Sequence, residues 1–166
     1  GCSRACQAII KQAQESKRIR NMKKKDVKPL QWFVDRAKRA AQEYARHRDA
    51  HLPCVSCGRG NDKVKAWNGG HYRSAGNNRA LMMHPLNIHK QCVRCNQFYS
   101  GNHNGDGGGV GYHIGIVERI GEEAKEWLLK DHGKADWTRD ELELLYSHFK
   151  SLTKKLQSET KQRTIP

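Results

Sequence analysis

LPCVSCG (residues 52–58) and HKQCVRCNQ (residues 89–97) decide how this chain folds. Each contains a Cys-x2-Cys pair, Cys54 with Cys57 and Cys92 with Cys95. Four thiolates at this spacing suit one tetrahedral zinc ion, because each tight turn points both of its sulfurs at one metal. All four positions are then filled by protein, so the zinc is structural. The ion ties together the ends of a polar segment of about thirty-five residues. Disulfides are the competing reading. Paired knuckles in a Lys-rich chain without a secretory signal favour zinc in a reducing cytosol.

Working outward, the zinc-closed segment carries GGHYR (residues 69–73) and Asn87, and its second knuckle runs directly into Asn96. Clustered glycines at 58, 60, 69 and 70 point to tight turns between two short strands. Before the first knuckle, Trp32 to Ala50 has the spacing of an amphipathic helix, with aromatics and alanines on one side and Arg and Lys on the other. NHNGDGGGVG (residues 102–111) reads as a flexible loop. It lacks the Lys and Ser/Thr of a phosphate-cradling loop. Two helices should follow, the first from Tyr112 to His132. The second is set up by a capping box at Thr138 and Glu141. Together they predict a helical hairpin over residues 112–160 that packs on the zinc module.

The chain has 166 residues, of which 36% are hydrophobic, and a net charge of +14 with a pI near 9.7. A small core with long solvated helices is expected. The charge calls for a polyanion, with nucleic acid ahead of a membrane surface. Residues 1–30 hold nine Lys or Arg against Glu15 and Asp26, so they read as a basic arm. Lys23, Lys24, Lys25, Arg73, Lys90 and Arg94 are the expected phosphate contacts. Cys2 and Cys6 in the arm cannot close a zinc site by themselves and read as free thiols. No segment approaches the length of a membrane-spanning helix, and the chain is assigned to the cytoplasm.

Hydrolysis of a phosphodiester requires a base for water, neutralisation of the phosphate and stabilisation of the leaving oxygen. His71 is the expected general base, since imidazole titrates near neutrality. Asn96 offers an oxygen ligand on a rigid knuckle, suited to Mg2+ or Mn2+ and not to the soft zinc site. If the first strand continues, Arg73 shares the face of His71 and reaches the scissile phosphate. Asn87 is expected to brace the loop by bonding backbone. His84, His89 and His103 stay ambiguous. His89 lies three residues before Cys92, but four cysteines already complete the zinc tetrahedron.

CVSC, GGHYR, NIHKQCVRCNQ and SGN together resemble the NinG (Rap) recombination proteins of lambdoid phages, within the zinc-stabilised HNH or ββα-metal nucleases. The resemblance runs over most of the chain, with specific central motifs and weak flanks. It implies an α+β fold in which a small zinc-stapled ββα-metal module at residues 52–102 is flanked by N-terminal and C-terminal helices. The nuclease domain is then 31–166, and Cys2 and Cys6 are the remnant of an N-terminal zinc finger. It implies His71 as the general base, Asn87 as the loop-bracing residue and Asn96 as the metal-binding residue. The activity implied is structure-specific cleavage of branched DNA, Holliday junctions and D-loops, in the bacterial host cytoplasm. Symmetric junction cutting suggests a homodimer. The alternative is a zinc-stapled protein that binds branched DNA, or recruits partners to it, without cutting. One departure stands out. Many HNH sites carry an acidic ligand directly before the base, and here that residue is Gly70. Asp62 is a distant candidate replacement.

Overall fold

The computed structural model describes residues 28–98 and 111–163, with helical residues at 11–12, 14–16 and 18. Cys2, Cys6, Lys23, Lys24, Lys25, His103 and the glycine-rich stretch up to residue 110 lie outside the described residues. Helix α1 spans Leu30–Arg48 and follows Pro29, which has extended backbone. Its buried side is Val34, Ala37, Ala40, Ala41 and Ala45. A stripe of alanines lets neighbours approach the helix axis closely.

The two strands are β1, Trp67–His71, and β2, Ile88–Cys92. They pair antiparallel, with Trp67 opposite Cys92 and His71 opposite Ile88. β1 lies directly on α1. A Cβ at Gly69 would stand 2.7 Å from the Cα and carbonyl oxygen of Gln42, so only glycine permits the contact. Gln42 Nε2 donates to the Gly69 carbonyl at 3.0 Å. Two short 3-10 turns, Arg79–Leu81 and Pro85–Asn87, connect the strands. After β2 the chain makes one wide helical turn, Arg94–Phe98.

Helix α2 is Tyr112–Leu129, kinked at Gly121 where φ is +81°. Helix α3 is Arg139–Arg163. Thr138 and Glu141 form the expected capping box: Thr138 N donates to Glu141 Oε2 at 2.8 Å and Glu141 N to Thr138 Oγ1 at 3.3 Å.

The helical hairpin expected of residues 112–160 does not form. The partner of α3 is α1, and the two run parallel, as the ascending pairs Arg36–Glu143, Glu43–Lys150 and His47–Gln157 show. Leu142 and Phe149 bury against Val34, Ala37, Ala41 and Met83 in one core. α2 packs elsewhere. Ile116 and Leu128 join Val55, Tyr72, Leu81 and Tyr112 in a second core beside the first knuckle. The extended segment between α2 and α3 carries the chain from one core to the other. No described helix is long and apolar enough to cross a membrane.

Every residue of β2 is buried, although His89, Lys90 and Gln91 are polar. Each has partners, as buried polar groups require. Asp49 is the centre of one set. It takes two bonds from Arg48, at 2.7 and 2.9 Å, and one from the Lys90 amide at 3.0 Å. His89 and Arg119 stand 3.6 and 3.5 Å away. Burial alone would raise the Asp49 carboxyl; the bonds from His89 and Arg48 outweigh it and hold the group well below the usual carboxylate range.

Candidate metal centre and adjoining histidine site

The four cysteine sulfurs all lie within 4.8 Å of one another. Among the described residues this is the one cluster of His, Cys, Asp or Glu side chains with metal-ligand spacing. Cys57 and Cys92 sulfurs stand 3.8 Å apart. That is far beyond a disulfide bond of about 2.05 Å. It equals the edge of a tetrahedron around a zinc ion about 2.3 Å from each sulfur, which is about 3.8 Å. Each knuckle is held by its own backbone. Cys54 N donates to the Arg59 carbonyl and Gly58 N to the Cys54 carbonyl, both at 2.9 Å. Cys92 N donates to Cys54 Sγ at 3.3 Å, and Cys95 N to Cys92 Sγ at 3.4 Å. Val64 and Trp67 pack over the cluster. Without a cation, burial pushes the Cys54 thiol up to about 11 and that of Cys95 higher still. The donor set therefore fits a structural zinc, and no coordination position is left for water or substrate.

His71 ends β1 and its ring is held by the fold. Nε2 lies 2.8 Å from the carbonyl oxygen of Met82. A carbonyl can only accept, so Nε2 carries the hydrogen and the lone pair of the neutral ring sits on Nδ1. Burial lowers the imidazole below its ordinary value near 6.5, and the Lys38 charge lowers it further against the opposing bond to Met82. His71 is thus a neutral base of fixed tautomer. Lys38 lies one helical turn before Gln42, which touches Gly69. That α1 brings a cation to this strand is not legible in the sequence, since Lys38 and His71 are far apart along the chain.

Asn87 braces the loop, as expected of it, and does so from full burial. Its Oδ1 accepts from Arg73 N at 2.7 Å, and its Nδ2 donates to the carbonyls of Arg73 and Leu81, both at 3.0 Å. These bonds close the segment between His71 and β2 into a fixed loop. Asn96 lies on the wide turn after β2. Its Oδ1 is 3.1 Å from the point where a Cβ on residue 70 would stand, so it faces the strand next to His71. The Gly70 carbonyl accepts from Tyr112 Oη at 2.8 Å, which seats α2 under the same spot.

Several expected contacts come out differently. β1 stops at His71, so Arg73 is not on a strand and does not share a strand face with it. Its guanidinium donates to Asn78 Oδ1 at 3.1 Å and lines a cleft with Tyr72, Ser74, Asn77 and His113. Lys90 is turned inward: Nζ donates to the carbonyls of Ala50 and Leu52 and to Asn61 Oδ1, at 2.7–2.8 Å, and rests over Trp67. It is a structural cation, not a phosphate contact. Arg94 is exposed on the wide turn. Asp62 is exposed and its carboxylate stands beside Gly60, whereas the side chains nearest Gly70 are Gln91 and Asn96. His89 bonds the Leu86 carbonyl at 2.9 Å and Arg48 at 3.1 Å, outside the cysteine cluster. His84 accepts from Leu86 N at 3.3 Å, and its ring lies tilted against Trp127 with centroids 4.9 Å apart.

A family model described as Bacteriophage Lambda NinG protein matches residues 3–159. Protein ninG of Escherichia phage lambda is 34% identical over 137 residues, covering 82% of this chain and 63% of that protein. Protein ninG of Salmonella phage P22 is 35% identical over 135 residues, covering 81% and 63%. Protein ninG of Enterobacteria phage H19B is 36% identical over 120 residues, covering 72% and 56%. The chain thus spans less than two thirds of the length of these relatives. No solved structure matches it. The family match takes in α1, both strands, the cysteine cluster, α2 and most of α3, and on that extent the chain belongs to the NinG family.

Proposed function

We propose that this chain is a metal-dependent endodeoxyribonuclease of the HNH, or ββα-metal, type, acting on branched intermediates of phage recombination in the host cytoplasm. The observation that carries the reading is the 2.8 Å bond from His71 Nε2 to the Met82 carbonyl. The bond fixes the tautomer of a ring that stands at the end of β1. The ring keeps its Nδ1 lone pair for a proton, and its lowered proton affinity keeps that pair available at neutral pH.

In this reading His71 Nδ1 takes the proton of a water as that water attacks phosphorus. The bond to the 3′ oxygen breaks in line with the attack. Asn96 would hold a Mg2+ or Mn2+ ion, which would supply charge neutralisation at the phosphate and the leaving oxygen. Asn87 holds the loop so that His71 and Asn96 keep their spacing. The cysteine cluster fixes the end of β2 from which Asn96 projects. The net charge of +14 supports a nucleic-acid substrate. The choice of branched DNA rests on the resemblance to recombination proteins, and a homodimer would place two such sites on a symmetric junction.

Labelled four-way junction, D-loop and linear duplex, each incubated with Mg2+, Mn2+ or EDTA, test the reading. Cleavage of the branched substrates that EDTA abolishes is the expected result. Tight junction binding with no cleavage under any divalent cation would replace it with the recruitment reading.

A further inference from the structure

We propose that two adjoining clefts on the loop after β1 hold the phosphate backbone of one DNA strand, with Arg73 in the first and Arg79 and Lys134 in the second. The proposal rests on the nucleic-acid part of the reading above and not on cleavage. The first cleft is lined by Arg73, Ser74, Asn77 and His113, with Tyr72 and Leu129 beside them. The second is lined by Asn77, Arg79, Lys134 and Asp136, with Leu30 and Trp137 beside them. Asn77 belongs to both, so the clefts adjoin. Arg73 and Arg79 come from the loop itself. Lys134 comes from the extended segment between α2 and α3, so the fold brings these cations together from distant parts of the chain.

The charges around the clefts are not balanced from within. Three cations stand against one carboxylate, Asp136. Among the described residues none of Arg73, Arg79 and Lys134 forms an ion pair, whereas Arg36, Lys38, Arg48, Arg119, Lys125 and Lys150 all do. The Arg73 guanidinium has five N–H donors and gives one to a neutral acceptor, Asn78 Oδ1, at 3.1 Å. Guanidinium, ammonium, hydroxyl and amide groups are those that bind backbone phosphates. Ser74, Asn77, Arg79, His113 and Lys134 are all exposed, so a strand can reach them from solvent.

The first cleft is rigid without a ligand. Asn87 grips Arg73 on both sides, accepting from its N at 2.7 Å and donating to its carbonyl at 3.0 Å. The Ser74 carbonyl accepts from Asn78 N at 2.9 Å and from Asn78 Nδ2 at 3.2 Å. Little ordering is then left for DNA to impose, which favours affinity. Arg73 follows His71 by two residues, so a strand held here lies on the same loop as the proposed base.

The test is binding of a labelled four-way junction to the zinc-loaded full chain over a series of salt concentrations, without added divalent cation. Each phosphate contact contributes about 0.9 to the slope of log K against log salt. Arg79→Ala combined with Lys134→Ala should therefore weaken binding and flatten that slope by about 1.8. Arg79→Lys combined with Lys134→Arg keeps both charges and should keep the slope. Asp136→Asn removes the one carboxylate and should tighten binding. An unchanged slope in a folded double alanine variant overturns the proposal, and so does a loss of affinity at unchanged slope. Should the double variant misfold, Asp136→Asn decides, since no gain in affinity overturns the proposal. If the slopes change as expected but wild type cuts no substrate with any divalent cation, the clefts stand and the nuclease reading falls. If wild type cuts junctions while its binding ignores these cations, the nuclease reading stands and the clefts fall. No junction binding by wild type overturns both.

Discussion

At the residue scale, the site depends on bonds that fix side chains rather than on unusual residue types. His71 takes its tautomer from a carbonyl eleven positions away. Because burial lowers its proton affinity, the neutral ring persists below its ordinary pKa near 6.5. The single-turnover rate should thus be flat at neutral pH. It should fall tenfold per pH unit on the acid side, with a midpoint below 6.5. A midpoint above 6.5 would assign the titration to another group. Asn87 offers a stability test. Asn87→Ala removes three hydrogen bonds and leaves buried backbone groups of Arg73 and Leu81 without these partners. A cost of about 2–4 kcal/mol is expected by denaturant titration. A loss under about 0.5 kcal/mol would show that the loop is held by something else. His71 and Asn96 are readable from the sequence as candidates, because they follow Gly70 and Cys95; Asn87, between Leu86 and Ile88, has no such neighbour. The fate of Lys90 is not readable. A lysine in a polar segment reads as solvent-facing, and only the fold reveals three oxygen acceptors and an indole ring around it.

Among elements, local signals are legible and partner choice is not. The amphipathic spacing of α1, the Thr138–Glu141 box and the two cysteine knuckles each specify structure within a few residues. Which helix packs on which is decided by side chains far apart in sequence. α3 finds α1 because Leu142 and Phe149 fit against its alanine stripe and three polar pairs align. α2 is drawn to Val55 and Tyr72 instead. The closeness of β1 to α1 was equally hidden, since Gly69 reads as a turn residue until Gln42 is seen against it. This division into two cores has a consequence for metal loss. Cys92→Ser should release about one zinc per chain in native mass spectrometry and loosen the knuckles and β2. The α1–α3 pair has its own core and should keep most of its helical circular dichroism. Retention of zinc in the mutant would contradict the four-cysteine clamp.

For the whole molecule, the arrangement is a two-stranded unit with a four-cysteine cluster, set between α1 and α2, in a strongly basic sequence. About half of the net charge of +14 falls within residues 1–30. Each cation that neutralises a phosphate releases a counterion and steepens the salt dependence of binding. Deleting residues 1–28 should therefore weaken junction binding and flatten the slope of log K against log salt. An unchanged slope would remove the arm from the interface. Composition makes this charge legible, but the placement of the arm on DNA depends on a partner that the sequence does not contain. The central claim is that His71 activates water beside a cation held at Asn96. General-base assistance is worth about a hundred- to ten-thousand-fold in rate. The most direct measurement is single-turnover cleavage of a labelled four-way junction by wild type and His71→Ala, in Mg2+ or Mn2+, with zinc content and junction affinity checked in both. The account predicts a loss within that range at unchanged zinc content and affinity. Equal cleavage rates for the two proteins would contradict it.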